Sequence, residues 1–151
     1  MTDPIILCAD GSELATKALV AGRALLRPDL TPVIVTVIES SDPMLVTGTG
    51  MAGGTMSNEE YDALEQSLAA EGADILAAAA EALALPDAER RVVRGDPGGA
   101  LCDLAEEIDA HAIVMGSRGR GGIKRAFLGS VSDHVIRHAP CPVIVTGHPD
   151  D

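Results

Sequence analysis

HAIVMGSRGRGGIKRAFLGSVSDHVIRHAPCPVIVT, residues 111–146, decides how this chain is read. Ala112-Ile113-Val114-Met115 is an apolar run too short for a helix and closed at once by Gly116. A run of that kind reads as a strand buried on both faces, as in parallel sheets. Gly116-Ser117-Arg118-Gly119-Arg120-Gly121-Gly122 follows, then Ile123 to Leu128, then Gly129-Ser130-Val131-Ser132. A helix is expected next, with Val131, Val135 and Ile136 as its apolar stripe and its end before Pro140. Pro142 to Thr146 reads as one more apolar strand.

The chemistry of this stretch follows from its backbone. Glycine tolerates positive φ and close approach, so clustered amides can converge on one anion. Ser130 and Ser132 stand where a helix begins, with free amides and the positive end of the helix dipole. A phosphate there would meet amides, hydroxyls and cations together. Arg118, Arg120, Lys124 and Arg125 surround the glycines, and Asp133 is the one acid between Arg118 and His134. In a chain of net charge −12 that local inversion points to a phosphate-bearing ligand.

Gly116 and Gly119, nine intervening residues and then Gly129-Ser130 resemble the signature of the nucleotide-binding branch of the universal stress protein family. The likeness runs from Pro4 to Thr146 and matches the spacing in full. It implies a site made of Ala9, Asp10, Gly11, Val37, Ile38, Met115, Gly116, Arg118, Gly119, Gly129, Ser130, Val131 and Ser132. By the same resemblance Asp10 contacts the nucleoside sugar or its neighbourhood, and Val37 and Ile38 lie beside the adenine. The ligand implied is ATP, with Mg²⁺ carried by its phosphates rather than by a protein cage. The last strand, Pro142 to Thr146, is implied to pair with its twin in a homodimer.

Composition narrows the alternatives. The 151 residues suit a single domain, 1–151, able to bury a real core. That core must be aliphatic, because Tyr61 and Phe127 are the only aromatic rings. Base stacking on aromatic platforms is therefore unavailable, and the acidic balance opposes nucleic acid and anionic membranes. No apolar stretch approaches the roughly 20 residues that span a bilayer, and no basic leader precedes Ile5-Ile6-Leu7-Cys8. Cys8, Cys102 and Cys141 are odd in number and set among apolar residues, as buried free thiols of a cytoplasmic protein would be.

In chain order, a first strand is expected at Pro4–Ala9, apolar and central, leaving through Asp10-Gly11-Ser12. Asp10 has a plainer alternative reading as a turn and capping residue. Ser12 caps a helix from about Glu13 to Leu26 with Leu14, Ala18, Ala21 and Leu25 on its buried stripe. The β-branched run from Pro32 to Ile38 is a second strand. Glu39 to Asn58 lacks periodicity and reads as a lid or a mobile insertion. A long Ala- and Leu-rich helix starts at Ser57 or Asn58 and runs to about Ala84. Glu89–Arg94 is a charged edge strand, followed by a turn at Gly95–Gly99 and a helix from about Gly99 to Ile108 with Leu101, Leu104, Ala105 and Ile108 buried.

Alternating strands and helices give an α/β fold, an open five-stranded parallel sheet with helices on both faces and right-handed crossovers. The resemblance supplies the strand order 3-2-1-4-5 and an architecture of the adenine-nucleotide alpha-hydrolase kind. In that order Asp10 and the Gly116 loop face each other across a switch point.

Other chemistry is harder to support. A P-loop needs Gly-Lys followed by Ser or Thr, and Gly122 is followed by Ile123-Lys124-Arg125. The dinucleotide fingerprint meets Lys124 in place of its third glycine. His134 and His138 have metal-ligand spacing but no third ligand. Ser117 lacks the glycine two residues earlier that a nucleophile elbow requires. No catalytic residue is assigned. The function expected is nucleotide-dependent regulation in a stress response. A slow ATPase or nucleotidyl-transfer enzyme, and a dimerising module without nucleotide, stand as alternatives.

Overall fold

The computed structural model describes residues 2–39, 57–117 and 128–147. Nine elements alternate among them: β1 (Pro4–Cys8), α1 (Glu13–Arg23), β2 (Thr31–Ile38), α2 (Asn58–Ala82), β3 (Glu89–Arg94), α3 (Pro97–Glu107), β4 (Ala112–Gly116), α4 (Ser130–His138) and β5 (Val143–Thr146). The strands form one sheet in the order β3-β2-β1-β4-β5, every pairing parallel. This is the α/β architecture and the strand order expected.

The period of two along each strand sorts side chains between two cores. Ile5, Leu7, Ile34, Ala112 and Val114 face one side, where Leu19 of α1 and Leu76, Ala79 and Ala80 of α2 cover them. Ile6, Val33, Val35, Ile113 and Met115 face the other, under Leu101, Leu104 and Ala105 of α3 and Val135 of α4. The central strands β1, β2 and β4 are thus apolar on both faces, whereas the outer strands β3 and β5 hold no fully buried residue.

Local chemistry sets the ends of the helices. Ser12 accepts the amide of Ala15 at the start of α1. Ser57 and Glu60 form a reciprocal capping box at the start of α2. Asp96 accepts the amide of Gly99, and Pro97 occupies the first turn of α3, where its missing N–H costs nothing. Two glycines are required by their φ: Gly11 at 83° after β1 and Gly95 at 134° after β3.

Several expectations need correction. Helix α1 ends at Arg23 rather than near Leu26, and its buried residues are Ala15, Ala18, Leu19 and Gly22. Leu25 is 82% exposed because it lies past the last helical turn, and Ala21 is exposed as well. Helix α3 starts at Pro97, two residues before Gly99. Ile136 points outward at 46% exposure, and Ser132 takes the buried place one turn earlier. The three cysteines are free; Cys102 and Cys141 are only partly buried, and Cys8 is part-exposed as a residue but packs its thiol against the core. The stretch from Glu39 to Asn58, apart from Glu39, Ser57 and Asn58, lies outside the described residues.

Candidate functional site

The C-terminal ends of β1 and β4 lie side by side, with Leu7 level with Val114. Continuing that register two residues brings Ala9 level with Gly116. The chain then leaves β1 into α1 on one face of the sheet and leaves β4 for α4 on the other. Two neighbouring strands whose helices depart to opposite faces leave a crevice between them, the usual ligand position in open α/β sheets.

On the β1 side the turn is rigid. The Oδ1 of Asp10 accepts the Ser12 amide at 2.8 Å and the Ser12 hydroxyl at 2.6 Å. The Ser12 oxygen in turn accepts the amide of Ala15 at 3.1 Å, so the carboxylate is held through the helix cap. Ala9 is 2% exposed, and its amide donates to the Val35 carbonyl at 2.8 Å. Cys8 sits at the end of β1, its thiol pushed up to about 12 by burial first and the Asp10 charge second. It stays protonated at neutral pH and is a packing group rather than a nucleophile.

Val37 and Ile38 close the end of β2 and diverge. Val37 packs into the α3–α4 core. Ile38 leans on α2, where its Cδ1 would lie 2.8 Å from a Cβ built on Gly72. The Ile38 carbonyl accepts the Gly95 amide at 3.1 Å.

On the β4 side, the Met115 side chain is 4% exposed and belongs to the core, so only its backbone borders the crevice. Gly129 is the cap of α4 in extended backbone, φ −64° and ψ 161°, and supplies no side-chain cap. Its carbonyl accepts from Asp133, and its amide donates to the Ser117 carbonyl at 2.8 Å. The amides of Ser130, Val131 and Ser132 have no acceptor within the helix, and the positive end of its dipole adds to them. Ser132 is placed differently from the simple expectation. It is 2% exposed, and its hydroxyl donates to the carbonyls of Gly116 at 2.9 Å and Ser117 at 3.3 Å.

The register therefore sets the Asp10–Gly11 turn beside Gly116 at one edge of the sheet, and hydrogen bonds through Ser117 and Ser132 tie the start of α4 to that same strand end. Arg118 and Gly119, with Arg120, Lys124 and Arg125, lie outside the described residues. Two further residues, neither of them among the expected site residues, organise the site. Ser117 donates its amide to the Thr146 carbonyl at 3.1 Å, and the Thr146 hydroxyl donates to Ala18 of α1 at 2.7 Å. No sequence pattern marks them, since both act through contacts made across the sheet.

Elsewhere, a cleft of about 640 Å³ between β3 and α3 is lined by Arg91, Val93, Leu104 and Glu107 among others. Its Arg91 is already paired with Glu89 at 2.5 Å and Glu107 at 3.6 Å. His134 and His138 stack with ring centroids 4.3 Å apart, and His138 Nδ1 donates to the His134 carbonyl. Among the described residues no three His, Cys, Asp or Glu side chains gather to hold a metal ion, and no helix is long and apolar enough to cross a membrane.

A family model described as Universal stress protein family matches residues 1–147. Universal stress protein YxiE of Bacillus subtilis (strain 168) is 30% identical over 148 residues, covering 96% of this chain and 99% of that one. Among solved structures, the hypothetical protein MJ0577 superposes with a TM-score of 0.77 at 24% identity over 100% of this chain and 99% of its own. A universal stress protein family protein from Arabidopsis thaliana, with AMP bound, superposes with a TM-score of 0.61 at 18% identity over 99% and 94%. At those identities the solved structures speak for the fold, whereas the family model and YxiE carry the membership. The chain belongs to the universal stress protein family.

Proposed function

We propose that this protein binds ATP in the crevice between the β1 and β4 turns and acts as a nucleotide-dependent regulator. The observation that carries the reading is the start of α4. Three outward amides stand behind a glycine that offers no cap of its own, directly across from the Asp10 turn. A helix end left without a side-chain acceptor is open to water or to an anion, and phosphate suits it. Gly116 and the Ser130–Ser132 amides, with the Ser130 hydroxyl, would hold the phosphates, joined by Arg118 and Gly119. Asp10, through its Oδ2, and Gly11 would meet the ribose. Val37 and Ile38 would wall the base. The AMP-bound relative of the same fold supports an adenine nucleotide as the ligand class. Mg²⁺ would ride on the phosphates, supplying charge neutralisation there.

The rest of the reading is a single-domain, cytoplasmic homodimer joined through β5. Its support is that β5 is an outer strand whose four residues are all half-buried, and an apolar edge tends to be paired. Enzyme activity is not part of the proposal: Asp133, the carboxylate in the first turn of α4, is paired with Arg137 at 3.1 Å, and Asp10 is assigned to the nucleoside side.

Calorimetric titration with ATP and Mg²⁺, on protein stripped of nucleotide, tests the site. Saturable binding near one per chain is the expected result, and absence of heat at millimolar ATP would remove it. Sedimentation tests the dimer, which a monomer at micromolar concentration would refute.

A further inference from the structure

We infer that Ser132 is a positioning residue whose hydroxyl clasps the two ends of the glycine-rich connection together, so that the α4 amides are held in place at the end of β4. This rests on the ATP-site reading and gives Ser132 a role other than phosphate ligation by its side chain.

The geometry is specific. The hydroxyl of Ser132 is buried, with the residue 2% exposed, and it has a single proton to donate. That proton is directed at the Gly116 carbonyl at 2.9 Å, with the Ser117 carbonyl at 3.3 Å as a second acceptor. The Ser117 carbonyl also accepts the Gly129 amide at 2.8 Å. The last residue of β4 and the residue after it are thereby tied to the cap and the first turn of α4, although they stand 12 or more positions apart in the chain. The Ser117 amide completes the clasp by donating to Thr146 of β5 at 3.1 Å. A hydroxyl aimed at two backbone carbonyls turns its proton away from any anion at the helix end. The Ser132 amide remains available to one.

The same arrangement explains why a polar residue occupies the buried face of α4, where the helical period calls for an apolar one. An alanine there would remove the one hydroxyl proton that the part-buried carbonyls of Gly116 and Ser117 share, and the β4–α4 junction would loosen.

Two measurements test the clasp in the full-length chain. The first is amide hydrogen exchange at Gly129 and Ser117 in nucleotide-free protein, comparing wild type with Ser132→Ala and Ser132→Thr. The second is calorimetric affinity for ATP and for adenosine, which lacks phosphates. Ser132→Ala should speed Gly129 exchange about fivefold to tenfold and weaken ATP by a similar factor, as loss of one buried hydrogen bond implies, while adenosine is unaffected. Ser132→Thr, which keeps the hydroxyl, should restore both. Unchanged Gly129 exchange in Ser132→Ala would overturn the clasp. If ATP then weakened, the hydroxyl would be a direct phosphate ligand. Rapid Gly129 exchange in the wild type would overturn it even if Ser132→Ala failed to fold. Should the wild type bind no ATP, the nucleotide reading falls, and the exchange rates still decide the clasp.

Discussion

Gly22 of α1 lies so close to Val114 of β4 that a Cβ built on it would come within 2.7 Å of Val114 Cγ1. Thr146 Cγ2 of β5 would be 3.2 Å away on the same side. Val114 is fully buried in the centre of the sheet and has nowhere to retreat. This contact seats α1 across β4 and β5. The Thr146 hydroxyl then reaches the Ala18 carbonyl, and the Asp10 turn at the head of α1 stands over the crevice.

Gly22→Ala should therefore destabilise the fold although alanine is the better helix former. Overpacking a core costs about 1–3 kcal/mol, against a helix-propensity gain of about 1 kcal/mol at most, so a net loss of up to about 2 kcal/mol is expected. Urea denaturation measures it. A midpoint at or above that of the wild type would show that α1 can lift off β4 without cost.

Asp96→Ala should remove the one side-chain cap of α3, the Oδ2 bond to the Gly99 amide at 3.1 Å. The expected loss is about 1 kcal/mol, and Asp96→Ser or Asp96→Asn should recover most of it. Nucleotide affinity should be unaffected, since the Asp96 carboxylate is taken up by the Gly99 amide at the start of α3 and is not one of the groups assigned to the ligand. Equal urea midpoints for Asp96→Ala and wild type would assign the start of α3 to Pro97 alone.

How much of this was legible in the chain depended on which force set each feature. The runs Ile5–Cys8, Val33–Ile38 and Ala112–Met115 announced buried parallel strands because both of their faces meet apolar helices. The α1 stripe was misplaced onto Ala21 and Leu25 because the period was extended past Arg23, where the helix stops. Gly22 escaped notice because its contribution is proximity, and composition carries no sign of it. Hydrophobicity and hydroxyl content alone do not say which way a side chain turns: Ile136 faces outward, and the Ser132 hydroxyl turns onto the Gly116 carbonyl. The Asp10-Gly11-Ser12 stretch is legible as a turn that caps a helix, and the structure shows that role directly.

Raising the pH should expose the burial of Cys8. Folded, its thiol ionises at about 12 against an ordinary 9.0, with burial the larger cause and Asp10 the smaller. Below 9 both folded and unfolded chains keep the proton, and this group makes stability independent of pH. Between 9 and about 12 the unfolded chain loses the proton while the folded one keeps it. Stability should then fall as pH rises, by at most about 1.4 kcal/mol per pH unit. Comparing urea stability of wild type and Cys8→Ala at about pH 8 and about pH 10.5 isolates the effect, because the other titrating groups are shared. A stability difference between the two proteins that stays constant over that range would mean that the thiol ionises freely in the native state.

Gly129→Val separates the fold from the site. Gly129 caps α4 with φ −64° and ψ 161°, extended backbone that any residue adopts, so its role is not conformational. What a side chain would change is access to the amides behind it. The variant should stay folded and lose no more than about 1 kcal/mol of stability in urea, because valine is a poorer N-cap than glycine but the backbone conformation suits it. Its ATP affinity should fall about tenfold to a hundredfold, corresponding to one or two lost hydrogen bonds to a charged group. Adenosine, which makes no use of those amides, should bind as before. A variant that bound ATP normally would move the phosphates away from α4, and one that lost adenosine equally would make Gly129 a residue of the whole crevice rather than of its phosphate end.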